Sequence, residues 1–142
     1  PDGESAQWIA QAAARHGFDH AVCTKVRHGD RDVTIELPPL HAQGRAVVLL
    51  DDMASTGHTL AQAARLLLQD GAASVDVAVT HALIDAEALA ALHAAGVGGF
   101  WSTDCVAHPM NAVAMAVALA LARGGQLWGS RADIPGCMCL PD

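Results

Sequence analysis

The run Ala46-Val47-Val48-Leu49-Leu50-Asp51-Asp52-Met53-Ala54-Ser55-Thr56-Gly57-His58-Thr59 limits what this chain can fold into more than any other stretch. It starts as an unbroken apolar segment, the pattern of a strand buried on both faces of a parallel sheet. Two acids follow, then small hydroxyl residues around a glycine. Apolar residues recur at helical spacing directly afterwards, through Leu60, Ala61, Ala64, Leu67 and Leu68. Strand, acidic pair, small loop, helix: that order puts carboxylates at the carboxyl end of a strand and backbone N–H groups at a helix N-terminus. Such a site holds a phosphate on the amides while the acids hold hydroxyls or a divalent cation.

The same alternation repeats downstream. Asp70-Gly71 stops the first helix, and Ser74 to His81 reads as the next strand. Asp85 to Ala95 is an Ala/Leu-rich helix ended by Gly96, and Gly99 to Ser102 is a short strand. A loop from Thr103 to Pro109 leads to Asn111, a candidate cap for a last helix running to about Arg123. A regular β-α-β-α-β-α order predicts parallel strands with right-handed crossovers. The expected fold is therefore α/β, a mostly parallel sheet flanked by helices.

Ahead of that unit, Ser5 is a candidate cap for a helix to about His16, with Trp8, Ile9, Ala12 and Ala13 on one face and Gly17 at its end. His20 to Thr24 reads as a short buried strand. Lys25 to Asp32 reads as a polar turn, and Val33 to Leu37 alternates like a strand with one wet face. Together these predict a hairpin-like flap near residues 20–37 with charged residues at its root. Residues 124–142, with Gly124-Gly125, Pro135-Gly136 and Pro141, lose the periodicity and read as an irregular tail. The sequence has no internal repeat and no second-domain boundary.

Composition narrows the function. A chain of 142 residues suits one domain, and a net charge of −7 excludes a general nucleic-acid binder, which would be basic. The longest apolar run, Ala112 to Ala122, is too short to span a membrane. There is no signal-peptide pattern, and Cys23, Cys105, Cys137 and Cys139 read as reduced, structurally incidental thiols of a cytoplasmic protein. The chain opens on Pro1 with no initiator Met and no strand before its first loop, so the expectation is that it begins inside a domain.

In the acidic loop, Ser55, Thr56 and Thr59 supply hydroxyl donors, and Gly57 permits close backbone approach to a phosphate. An ordinary reading, one acid capping the helix and the other solvated, accounts for one acid but not for two followed by Ser-Thr-Gly-x-Thr. The loop is not a Walker A loop, because G-x-x-x-x-G-K-[ST] is absent. His58 offers its backbone N–H there more than its ring. Lys25 is the only lysine, with Arg27 and Arg31 close behind it. Such a cluster is ordinarily a solvated turn. On a flap of an acidic, Lys-poor chain it reads instead as a clamp that closes over phosphates and neutralises developing charge. His16, His28, His41 and His93 read as surface residues. His81 and His108 fall on the same predicted sheet edge, where each either lines the site or makes a local hydrogen bond.

Val48 to Thr59 resembles the phosphoribosyl-diphosphate (PRPP) motif of type I phosphoribosyltransferases and of ribose-phosphate pyrophosphokinases, the PRPP synthetases. Pro1-Asp2-Gly3 resembles the loop that opens the synthetases' C-terminal domain, and Lys25-x-Arg27 resembles the pair at the root of their catalytic flexible loop. Val79-Thr80-His81-Ala82-Leu83 and Ser102-Thr103-Asp104 with His108 resemble two further segments of that family, in the same order. The resemblance implies a type I phosphoribosyltransferase-like fold over residues 1–123, the C-terminal half of a PRPP synthetase with its first strand missing, followed by the tail at 124–142. It implies transfer of diphosphate from Mg-ATP to ribose 5-phosphate, giving PRPP and AMP, with Mg2+ as cofactor. By position, Asp51 and Asp52 would hold the ribose hydroxyls, and Ser55, Thr56, Gly57, His58 and Thr59 the 5-phosphate. Lys25 and Arg27 would be catalytic, and Asp2 would serve a metal site. The family's full-length chains imply a homo-oligomer, and His58 departs from the glycine usual at its position. The competing expectations are a phosphoribosyltransferase that joins PRPP to a nucleobase and a non-catalytic regulatory subunit.

Overall fold

In the computed structural model, residues 5–27, 33–39 and 41–116 are described. The apolar run and its successors form a parallel sheet of β3 (Ala46–Ala54), β4 (Ser74–Ala82), β5 (Val97–Thr103) and β6 (Asn111–Val113), in that spatial order. Helices α2 (His58–Gln69) and α3 (Ala86–Ala94) connect the first three strands. Ahead of them come α1 (Ser5–His16) and an antiparallel pair, β1 (Thr24–Arg27) with β2 (Val33–Glu36). This is the α/β architecture that the strand and helix alternation predicts, with the flap as a separate two-stranded sheet.

Alternation decides which sheet face is covered. Val75, Val77 and Val79 on β4 are buried in the company of Leu60, Ala64 and Leu67 from α2, Leu92 from α3 and Phe100 from β5. The alanines of α2, including Ala61, Ala63 and Ala64, are buried as well. Their small side chains let that helix lie close to the sheet. Each leucine or phenylalanine so buried contributes roughly 1.5–3 kcal/mol. The caps follow from sequence: Asp85 accepts the Ala88 N–H at 2.8 Å to start α3, and Gly17, at φ 67, ends α1.

Between β4 and β5 the register slips, Val75 opposing Val97 but Val77 opposing Phe100, so β5 carries an extra residue. Asp76 Oδ1 fills the gap by accepting the Gly99 N–H at 2.7 Å. A Cβ on Gly98 would meet that same oxygen at 3.0 Å, and this is why the bulge is made of glycines.

The structure corrects the sequence reading at four places. First, β3 is not buried on both faces. It is an edge of the four-stranded sheet among the described residues, and Val48 is 50 % exposed. Second, β3 runs on to Ala54, so Asp51 and Asp52 lie within the strand and not after it. Third, the expected buried strand at His20–Thr24 is irregular backbone as far as Cys23, and only Thr24 is extended. The extended segment is the polar Thr24–Arg27, because there each residue finds a partner on β2, from Thr24 opposite Glu36 to Arg27 opposite Val33. Fourth, Asn111 does not cap a helix. It sits in β6, accepting from the buried Ser102 hydroxyl at 2.8 Å and donating from Nδ2 to the Val106 carbonyl at 3.0 Å. Helical backbone starts only at Met115, whose N–H goes to Asp104 Oδ1 at 2.8 Å. The rest of that expected helix, Cys137, Cys139 and the tail at 124–142 lie outside the described residues.

Beside the exposed edge of β3 lies an apolar groove of about 630 Å³, walled by Ile9 and Ala13 of α1, Ile35 of β2, Val47 and Leu49 of β3 and Leu60 of α2. Ile35 is 3 % exposed, and its strand β2 is in contact with α2. No helix among the described residues is long and apolar enough to cross a membrane.

Candidate functional site

Asp51 and Asp52 differ although they are neighbours, because successive strand residues point to opposite faces. Asp51 is 8 % exposed, and its Oδ1 accepts the Asp52 N–H at 2.9 Å. Asp52 is exposed. The strand ends at Ala54, and Ser55 and Thr56 form exposed bends leading to Gly57.

Gly57 is the N-cap of α2 and has φ 70, a left-handed conformation that costs a residue with a Cβ roughly 1–2 kcal/mol. The space behind it is also closed: a Cβ there would lie 3.2 Å from Ile84 Cδ1 and 3.4 Å from Leu92 Cγ. Because the cap is a glycine, no side chain bonds the first-turn amides of α2, and that turn carries no acidic residue. These amides are left to solvent or to an anion, and the helix dipole favours the anion. His58 is the first helical residue and is exposed, and Thr59 is half-buried. One connected segment thus brings together Asp51, Asp52, Ser55, Thr56, Gly57, His58 and Thr59. Its acids can accept hydroxyl hydrogens, and its helix start can donate to a phosphate.

The remaining expected site residues are not joined to it by any described contact. Lys25 and Arg27 lie on β1, opposite Ile35 and Val33 of β2, and their side chains are outside the described residues. Asp2 is likewise outside them. Among the described residues no group of three His, Cys, Asp or Glu side chains could hold a metal ion by itself. His81 lies at the carboxyl end of β4, exposed, in register with Met53. His108 makes one local hydrogen bond, to Met110, and one to Ile84, 24 positions earlier in the chain.

Two residues that the sequence reading passed over shape the loop. Ile84 and Leu92 form the wall behind Gly57, and the Leu83 N–H ties the same segment to the Ala54 carbonyl at 2.8 Å. Only their apolar character and their place after a strand were visible beforehand.

A two-stranded flap, a parallel sheet and an acidic strand end feeding a glycine-capped helix define a type I phosphoribosyltransferase-like domain. Residues 5–93 match the model of the phosphoribosyl transferase domain. A ribose-phosphate pyrophosphokinase of Methanosarcina acetivorans is 38% identical over 125 residues, covering 87% of this chain and 44% of that protein. Ribose-phosphate pyrophosphokinase 1 of Archaeoglobus fulgidus is 34% identical over 122 residues, covering 86% of this chain and 43% of that one. The crystal structure of phosphoribosylpyrophosphate synthetase from Mycobacterium smegmatis superposes with a TM-score of 0.54 at 25% identity, over 83% of this chain and 42% of its own. The chain belongs to the phosphoribosyl transferase domain family, and within it to the ribose-phosphate pyrophosphokinases that its sequence resembles. It spans somewhat less than half the length of these relatives.

Proposed function

We propose that this chain is the ribose-5-phosphate-binding portion of a ribose-phosphate pyrophosphokinase. One observation carries the reading. The acids Asp51 and Asp52 and the start of α2, which no side chain caps, follow each other on one short strand-to-helix connection, in the order that a sugar ending in a phosphate calls for. In this reading the carboxylates of Asp51 and Asp52 accept hydrogen bonds from the ribose 2- and 3-hydroxyls. The amides of Gly57, His58 and Thr59, with the hydroxyls of Ser55, Thr56 and Thr59, receive the 5-phosphate.

The family reaction joins the ribose 1-hydroxyl oxygen to the β-phosphorus of ATP. The bond from that phosphorus to the oxygen bridging it to the α-phosphate breaks, and AMP leaves with that oxygen. Lys25 and Arg27 act on the charge that grows on the transferring group, from a two-stranded ribbon able to move relative to the sheet. Carboxylates are hard oxygen donors that suit magnesium, which commonly takes one or two of them together with substrate phosphates. Asp2 would serve that site, and the ion would neutralise phosphate charge.

The domain reading at 1–123 belongs to this proposal. The exposed edge of β3 among the described residues and the apolar groove beside it support a further strand there. The test is AMP formation from Mg-ATP and ribose 5-phosphate by this chain and by the full-length protein, with sugar binding measured in parallel. Sugar binding that depends on Asp51 and Asp52 is expected in both, and AMP formation in the full-length protein. Absence of ribose-5-phosphate binding from both overturns the reading.

A further inference from the structure

The loop after β5 contains one side chain that is bonded on two sides. His108 Nδ1 accepts the Met110 N–H at 3.1 Å, so the neutral ring carries its proton on Nε2. That Nε2–H donates to the Ile84 carbonyl at 3.2 Å. The ring also stands 6.1 Å from that of the buried Phe100, tilted by 57°. Its own backbone is fixed, since the His108 carbonyl accepts the Asn111 N–H at 3.1 Å, and the Met110 carbonyl accepts the Ser102 N–H at 3.1 Å. His108 is therefore a strut from the β5–β6 connection to the β4–α3 connection.

Ile84 lies at the far end of that strut. It is buried, and its Cδ1 closes the space behind Gly57. The neighbouring Leu83 N–H holds the Ala54 carbonyl at the other end of the Ser55–Gly57 turn. The carbonyl of Ile84 would otherwise lose its partner when buried, a cost that favours keeping the ring in place. The carboxylates nearest in sequence to its two anchor points are already occupied: Asp85 accepts from Ala88 and Asp104 from Met115.

We infer that His108 is a positioning residue for the phosphate loop, acting through Ile84 on Gly57. This rests on the reading that residues 55–59 hold the sugar phosphate. His108 touches no substrate. It fixes the wall against which the left-handed Gly57 packs, and so the direction of the first α2 amides.

Two conservative replacements separate this role from simple loop support. A glutamine amide nitrogen reaches about where Nε2 stands and keeps the donor to Ile84. An asparagine oxygen replaces Nδ1 and keeps only the acceptor for Met110. In the full-length protein, His108→Ala and His108→Asn are expected to weaken ribose-5-phosphate binding about tenfold, the size of one ordinary hydrogen bond. His108→Gln is expected to stay within about twofold of wild type on the same scale. In parallel, the amide resonances of Gly57 and of Ala61, whose N–H bonds the Gly57 carbonyl at 2.8 Å, are followed without ligand. They are expected to move in the Ala and Asn variants and to stay in place in the Gln variant. If the Ala variant does not fold, the Asn and Gln pair carries the test alone.

Unmoved Gly57 and Ala61 resonances in the Asn variant overturn the inference. So does an equal effect of Asn and Gln, which would mean loop support only. Resonances that move as expected in a protein whose wild type takes up no ribose 5-phosphate uphold the strut and overturn the sugar-phosphate reading instead.

Discussion

The two halves of the proposed chemistry stand on differently built supports. Asp51 and Asp52 lie on β3, a nine-residue strand paired along most of its length with β4, itself buried between β3 and β5. Lys25 and Arg27 lie on β1, a four-residue strand with one partner of equal length. A two-stranded ribbon is marginal by itself, and this one meets α2 through β2, where Ile35 is buried. In the proposed reading, the sheet supplies a fixed place for a substrate and the ribbon supplies groups that can move. A reaction made mainly of positioning and charge neutralisation uses both.

The sharpest way to break the comparison is at the fixed half. Asp51→Asn with Asp52→Asn removes two charged acceptors while keeping side-chain shape. With hydrogen bonds to charged groups worth about 1.5–3 kcal/mol each, ribose-5-phosphate affinity is expected to fall about a thousandfold by calorimetry. The circular dichroism spectrum should be unchanged. Unaltered binding would remove the sugar from this strand. At the movable half, Lys25→Ala in the full-length protein is expected to leave sugar binding alone and lower kcat about a hundredfold, as loss of one charge-stabilising donor does. A change confined to KM would contradict that division of labour.

Stability should divide the same way. Leu92 is fully buried behind the phosphate loop, and Leu92→Ala is expected to cost about 3 kcal/mol in denaturant unfolding. Ile35→Ala leaves its space facing the groove, where neighbours can close in, so about 2 kcal/mol is expected. The two variants should also part in function. Leu92→Ala should disturb sugar binding through Gly57, and Ile35→Ala should slow turnover at unchanged sugar affinity. Equal loss of sugar affinity in both would show that ribbon and sheet act as one body.

Why much of this was legible beforehand is physical. β4 could be read from Ser74 to His81 because its inward valines and outward polar residues alternate under one covered face, and α2 because its apolar spacing matches its burial. The residues Asp51 to Thr59 are local in sequence, so their spacing carries over directly to the site. What failed depended on distant partners. The apolar run of β3 suggested burial, but burial is set by what lies beside the edge. Asn111 looks like a cap because capping is local, yet its side chain is held by Ser102 and Val106. Lys25-Val26-Arg27 has the polarity of a turn and became a strand through pairing with β2. The strut from His108 to Ile84 spans 24 positions, and no periodicity reports such a bond.

The smallest effect belongs to the one described ion pair between the segment after α1 and the segment before β3, Arg45 Nη1 to Asp19 Oδ2 at 2.6 Å. The hydrogen bond from Arg45, and then its charge, hold the Asp19 carboxyl below its ordinary value. A depressed carboxylate contributes stability above its unfolded pKa of about 3.9 and loses it as pH falls through the folded value. The pair therefore acts fully at neutral pH and fades only below about pH 4. Both side chains are open to water, where salt screens the attraction and two long rotamers must be fixed to make it. Asp19→Asn is accordingly expected to leave the melting temperature at pH 7 and physiological salt unchanged within error. It should also remove any difference between low and high salt that wild type shows above pH 4. A clear loss of stability at high salt would mean that this contact holds α1 to the sheet. The ribbon would then be anchored at two points, and the contrast between a fixed and a movable half would weaken.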